Sequence, residues 1–280
     1  MMALQYVLCP VTGGEEDGPA LRAALKVAAR FDAHVRALFV RSSVSAAIPY
    51  LGEGLTGTIV ENIVAAAAKA SDEAMIAAKL HVDAALQACD VDASKMSIRV
   101  VEGVVEDEVA AASRLADIVV YARDPADAGF PDRSLAEHTL LGARRPIVIA
   151  PPGSFKSVGT RVTVLWDGGT AAASALMASL PFIRRASSVE VVTMSSDEDE
   201  SEILEDVRDA LAIRGMSAEM RSVDRQSSAD GAHLMMAALQ GEPDLIVMGG
   251  YGHSRLRQLV LGGITRHMLK HAPVPILMAH

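Results

Sequence analysis

The chain is poor in aromatic residues, with only 4% Phe, Trp and Tyr among its 280 residues. That scarcity argues against a stacking platform for bases or sugars. Basic residues are also outnumbered, 26 Lys and Arg against 35 Asp and Glu, for a formal net charge of −9. Nonspecific nucleic-acid binding draws its affinity from a cationic surface that displaces counterions, so no nucleic-acid partner is expected. The two cysteines, Cys9 and Cys89, lack the spacing of a metal site, and each lies in an apolar run where a thiol packs as a small hydrophobe. No uninterrupted apolar run is long enough to span a bilayer. The stretch from Ala65 to Ala88 is broken by Lys69, Asp72, Glu73 and Lys79 and reads as an amphipathic helix. The opening run ends at Pro10 with no basic leader, so no membrane association and a cytoplasmic location are expected. No G-x4-G-K-[ST] occurs, which excludes a P-loop nucleotidase.

What is present is abundant Ala, Val, Leu and Met, in an order of signals that runs through the chain twice. Gln5 to Val11 is a short apolar run that ends in Thr12-Gly13-Gly14, and Val162 to Trp166 is another that ends in Asp167-Gly168-Gly169. A helix follows each turn, with apolar positions at Leu21, Ala24, Leu25, Ala28 and Phe31 in the first and Ala175, Leu176, Leu180 and Ile183 in the second. Second strands are expected over 34–40 and 189–194. Late in each half an acidic residue opens a strand, Asp117 before Ile118 and Asp244 before Leu245. Each half closes on a Pro-led apolar run, Pro146 to Ala150 and Pro275 to Ala279. The Pro-, Gly- and Ser-containing segment from Pro151 to Gly159 joins them. Continuous apolar strands alternating with helices require a mostly parallel sheet covered on both faces, with ligands at the strands' carboxyl ends. The first half carries an additional stretch, Ser42 to Gly57, read as a surface loop, the alternative being a loop that covers a cleft or contacts a partner.

The stretch Met248 to Thr265 reads MGGYGHSRLRQLVLGGIT. Gly249, Gly252 and Gly262 are spaced G-x2-G-x9-G, with Gly263 directly after. The first two come off the end of a strand, where backbone amides can face an anion without a Cβ in the way. The third precedes an apolar helix through Ile264, Met268 and Leu269, whose first amides are unpaired donors. Together they form a candidate phosphate cradle.

This motif, after a D-x-I-V-M-G strand and before P-V-P-I-L, resembles the nucleotide-binding motif of universal stress proteins. The resemblance extends over both halves. It implies two tandem flavodoxin-like (Rossmann-like, adenine nucleotide alpha hydrolase-like) α/β domains with five-stranded, mostly parallel sheets. Their boundaries are expected at 1–152 and 161–280, with 153–160 as linker. It further implies an ATP site in the second domain. Asp167 takes the adenine side, Thr193 or Met194 the second-strand position, and Met248 and Gly249 the ribose side. Gly252, Gly262, Gly263, Ile264 and Thr265 take the phosphate side, with His253 and Ser254 as polar residues lining the cleft and magnesium as a candidate companion. Gly263 departs from the pattern, which has Ser, Thr or Asn there; one lost hydrogen bond to a charged group costs about 1.5–3 kcal/mol, roughly ten- to a hundredfold in affinity.

The first half departs further. Ala122 stands where Gly249 does, Pro125 where Gly252 does, Arg133 where Gly262 does, and Thr12 where Asp167 does. Proline supplies no N–H, so that half is expected to serve assembly or contact with a protein partner, with Arg123 and Arg133 left to attract an anion. The resemblance also implies that the closing strands pair the two domains inside one chain, and it leaves room for a homodimer. No acid, base and metal constellation stands beside the cleft, so a stress-response binding module is expected and not an enzyme. The alternative is a scaffold of the same fold that binds no nucleotide. The acidic run at 197–200 reads as the first turn of a helix, complementing its dipole. Met235 and Met236 read as core or core-edge residues, and Trp166 as a cleft or packing residue.

Overall fold

A computed structural model describes residues 4–42, 57–123, 133–195, 200–224, 230–250 and 263–280. The stretch Ser42 to Gly57, the acidic run at 197–199 and the residues 251–262 therefore lie largely or wholly outside the described residues.

The first half runs β1 (Tyr6–Val11), α1 (Asp17–Phe31), β2 (His34–Ser42), α2 (Gly57–Cys89), β3 (Met96–Gly103), α3 (Val105–Ser113), β4 (Ile118–Ala122), α4 (Arg133–Glu137) and β5 (Ile147–Ala150). A single π-helical stretch, His138–Gly142, continues α4. The second half runs β6 (Arg161–Trp166), α5 (Thr170–Arg185), β7 (Ser188–Ser195), α6 (Glu200–Ala212), β8 (Glu219–Asp224), α7 (Asp230–Gln240), β9 (Leu245–Gly249), α8 (Gly263–His271) and β10 (Ile276–Ala279). Among the described residues ten strands form one sheet, ordered β3-β2-β1-β4-β5-β10-β9-β6-β7-β8. Each half is parallel and doubly wound. The chain winds outward from β1 to β3, then returns to place β4 and β5 on the other side of β1, and β6 to β10 repeat this path. Such a reversal leaves a crevice beyond the carboxyl ends of the two central strands, β1 and β4 in one half and β6 and β9 in the other.

Strand alternation sorts the apolar residues onto two faces. Leu21, Ala24, Leu25, Ala28 and Phe31 of α1 are buried, as are Ala175, Leu176 and Ile183 of α5, and with α2 and α6 they build one core continuous across both halves. Helices α3, α4, α7 and α8 build the core on the other face. Met235 packs against that second core, but Met236 is 61% exposed, because the next position around a helix turns away from the buried stripe. Among the described residues, helix α2 buries a narrow stripe, Ala78, Val82 and Ala85, and no helix is long and apolar enough to cross a membrane.

The acidic residues that open β4 and β9 do the same structural work twice. Asp117 Oδ2 accepts from the amides of Gln5 (2.7 Å) and Tyr6 (2.9 Å), and Asp244 Oδ1 accepts from the Arg161 amide (2.8 Å). Each carboxylate clips its own strand to the start of the central neighbour.

The two halves join where β5 and β10 pair antiparallel, with Ile276 opposite Ile149, Leu277 opposite Val148 and Met278 opposite Ile147. Unpaired edges at these apolar strands would invite aggregation, and pairing covers both. The helix layer repeats the symmetry. Arg30 donates to the Arg185 carbonyl while Arg185 donates to the Arg30 carbonyl, and these two residues hold corresponding places in the repeat, as Thr12 and Asp167 do. Reciprocal contact between equivalent residues is the mark of a twofold relation. Phe31 and Phe182 meet edge to face beside it, ring centroids 4.9 Å apart. The connecting segment is docked along α1, its carbonyls of Gly153 and Lys156 receiving Arg22 and Lys26, both at 3.0 Å.

Candidate functional site

The second crevice starts where β6 ends. Asp167 is exposed, and its Oδ1 accepts from the Gly169 amide at 2.9 Å, which closes a tight turn through Gly168 at φ +74°. Helix α5 begins directly after at Thr170. Beside it, Trp166 stands level with Thr193 on β7. Thr193 is buried, and Met194 is half-buried against the core of the α7–α8 face. Trp166 is half-buried against the other core, with no partner for its indole Nε1. Its role is thus packing at the crevice wall.

On the other side of the crevice, the Met248 side chain is 5% exposed and belongs to the core, which leaves its backbone for any contact at the strand end. Gly249 fills a close approach of β9 to α5: a Cβ placed on it would lie 2.6 Å from the Ala172 nitrogen and 2.7 Å from the Ala171 carbonyl carbon. Its lack of a side chain is therefore demanded by helix packing, whatever ligand is present. Helix α8 opens at Gly263, which is exposed, and a Cβ there would meet nothing within 4 Å. Ile264 and Thr265 follow, half-buried. Gly252, His253, Ser254 and Gly262 lie outside the described residues. The described members of the candidate set thus fall at the end of β6, the end of β7, the end of β9 and the start of α8, all at the carboxyl-end side of this half.

The first crevice is built differently. Thr12 copies the turn of Asp167 with a hydroxyl, its Oγ1 accepting from the Gly14 amide at 3.0 Å. The turn is then occupied from within. Asp17, 3% exposed, accepts from the amides of Thr12 (2.9 Å to Oδ1) and Gly13 (2.7 Å to Oδ2). The imidazole of His81 on α2 stands 3.7 Å from Asp17 Oδ2. Burial raises the Asp17 pKa above the ordinary carboxylate value, and the two amides and His81 pull against that rise. The backbone of α2 lies on the same turn: a Cβ on Gly13, which sits at φ +89°, would come within 2.8 Å of the Cα and carbonyl carbon of Ala74. An internal carboxylate and a helix backbone thus take the place in front of β1.

Arg123, read from sequence as a residue free to attract an anion, is committed elsewhere. Its Nη1 donates to the carbonyls of Ala272 (2.8 Å) and Leu269 (3.3 Å), capping the carboxyl end of α8 across the junction between halves. Arg123 thus serves cohesion between the halves, and the Arg133 side chain lies outside the described residues. Sequence reasoning missed Asp17 and His81, since a first-turn aspartate is ordinary in a helix and His81 is brought to it only by the tertiary docking of α2. Both cysteines are free thiols, Cys9 buried and Cys89 half-buried, and burial pushes each thiol up. Among the described residues no three His, Cys, Asp or Glu side chains stand together as ready metal ligands.

A doubly wound α/β repeat whose first crevice is filled from within is the class of protein these features define. The model of the Universal stress protein family matches residues 161–280. Through that half the chain is similar to the universal stress protein family. It is 22% identical over 172 residues to Universal stress protein Slr1230 of Synechocystis sp., an overlap of 58% of this chain and 57% of that protein, so it spans little more than half of that relative. Among solved structures it is similar in fold to a universal stress protein from Archaeoglobus fulgidus, with a TM-score of 0.72 at 16% identity over 99% of both chains. It is also similar to a functionally unknown protein from Pseudomonas aeruginosa PAO1, with a TM-score of 0.60 at 12% identity over 98% of this chain and 92% of that one.

Proposed function

We propose that this protein is a stress-response binding module of two domains, 1–152 and 161–280 joined by 153–160, which takes one adenine nucleotide, ATP or a close relative, in the second domain. The observation that carries the reading is the contrast between the crevices. In the second, Asp167 is exposed at the switch point and Gly263, which opens the first turn of α8, is exposed as well. In the first, Asp17 and the α2 backbone occupy the corresponding turn. The first amides of α8 and the glycine spacing through Gly262 suit phosphate oxygens. Asp167 suits the exocyclic amine of adenine, a hydrogen-bond donor. Thr193, Met194 and Met248 supply backbone and wall around the base and ribose. Magnesium enters on the nucleotide's own phosphates, since Gly263, Ile264 and Thr265 offer no carboxylate. The first domain then serves cohesion and contact with a protein partner, and the two free thiols suit a reducing compartment such as the cytoplasm.

Titration calorimetry with ATP tests the reading. Asp167→Ala removes one charge-assisted hydrogen bond and is expected to weaken binding about ten- to a hundredfold. Gly263→Ser, which has room for its side chain, is expected to tighten it by about tenfold. Equal affinity in all three proteins would remove these positions from the site. Absence of binding at millimolar ATP would favour the ligand-free scaffold.

A further inference from the structure

The seam of β5 and β10 consumes the closing strands inside one chain, so among the described residues the sheet ends at β3 on one side and β8 on the other. The two ends differ. The exposed residues of β8 are all polar, Glu219, Ser222 and Asp224, and its Arg221 is drawn inward to Glu190 Oε1 at 2.6 Å. Such an end resists pairing. Strand β3 runs in unbroken register with β2 over eight pairs, from Met96 opposite Val35 to Gly103 opposite Ser42, and has no other strand partner among the described residues. Val100 is 40% exposed, and Val104, whose backbone is still extended, is 49% exposed. A regular, partly apolar edge of this kind is a template for another strand.

We propose that β3 pairs antiparallel with β3 of a second copy of this chain, about a twofold axis at Val101. A twofold perpendicular to the sheet keeps the faces of the two copies aligned, so only residues on the same face stand opposite each other. Centred on Val101, it sets Ile98 against Val104 of the second copy and Arg99 against Gly103 of the second copy. The second pairing selects the occupant. Beside Gly103 the Glu108 carboxylate takes the place of a side chain: a Cβ on Gly103 would lie 2.9 Å from Glu108 Oε1. Directly opposite residues hold their Cβ atoms about 4.5–5.5 Å apart, so Arg99 of one copy reaches Glu108 of the other. Within one chain both side chains line a groove beside β3 with Leu38 and Val101, yet neither has an ion-pair or hydrogen-bond partner among the described residues. The twofold forms this ion pair twice. On the other face, Ile98 and Val100 of each copy meet Val104 of the other, which covers apolar surface that a single copy leaves open. Pairing of equivalent surfaces closes at two copies and leaves the polar β8 at both outer ends. None of these residues belongs to the candidate nucleotide set.

Sedimentation equilibrium of the full chain, over a range of concentrations and without nucleotide, reads the pairing. A monomer–dimer equilibrium is expected, with nothing larger. Arg99→Glu and Glu108→Arg each set like charges face to face twice per dimer, and each is expected to weaken the dimer at least about tenfold. Arg99 is exposed, so its reversal leaves the fold intact, as circular dichroism checks. The double variant Arg99→Glu with Glu108→Arg exchanges the two charges and is expected to restore the wild-type affinity, a rescue that a folding defect in either single variant would not allow. Glu219→Arg, on β8, is the unaffected control. A monomer at every concentration, a dimer indifferent to both single reversals, or a double variant as weak as the single ones would overturn the proposal.

Discussion

Gly249→Val is expected to destabilise the second half by about 3 kcal/mol or more, because the new side chain meets backbone and cannot push aside a flexible neighbour. The atoms in its way are the Ala172 nitrogen and the Ala171 carbonyl carbon at the start of α5. Helix α5 would have to lift from β9, and it also packs on β6 and β10. Thermal unfolding monitored by circular dichroism should therefore show a separate, lower transition. ATP binding should fall with it, because the same displacement moves the turn that carries Asp167. A variant with wild-type melting and weakened ATP affinity would instead assign Gly249 a role in the ligand site alone.

Gly13→Val should be comparably costly for a second reason added to the first. Its φ of +89° is a conformation that a β-branched residue resists, and the Cβ would press on the backbone of α2 at Ala74. Left-handed strain of about 1–2 kcal/mol and overpacking of about 1–3 kcal/mol sum to a loss of about 2–5 kcal/mol. At the usual size scaling this lowers the melting temperature by roughly 10 °C. ATP affinity, measured below that transition, should stay unchanged, since the proposed nucleotide site lies in the other half. An unchanged melting temperature would show that α2 does not bear on the turn, and the first crevice would then have to be regarded as open.

The repeat and the doubly wound sheet were legible because each strand is a continuous apolar run, each turn carries its glycines, and Asp117 and Asp244 open equivalent strands. The antiparallel seam of β5 and β10 followed from two Pro-led apolar strands that each needed a neighbour. The seam does not lend itself to loosening by charged substitution at Ile147 and Ile276. Both are buried in the core shared with Val119 and Ile246, so a charge there would unfold the halves and not merely part them. Less was legible at the site. A glycine spacing has the same appearance whether it serves phosphate or helix packing, and Gly249 is required for packing in any case. The filling of the first crevice was hidden, because Ala74 contributes only backbone and His81 comes to Asp17 from far along the chain. Arg123 looked like an anion receptor because an unpaired arginine in a sequence carries no sign of the carbonyls it will cap.

Native mass spectrometry of the intact chain with increasing ATP decides most directly between one open crevice and two. One bound nucleotide per chain at saturation is expected, retained in Gly13→Val and lost in Gly249→Val. Two nucleotides of similar affinity would contradict the filled first crevice, and none at millimolar ATP would contradict the proposed site in the second.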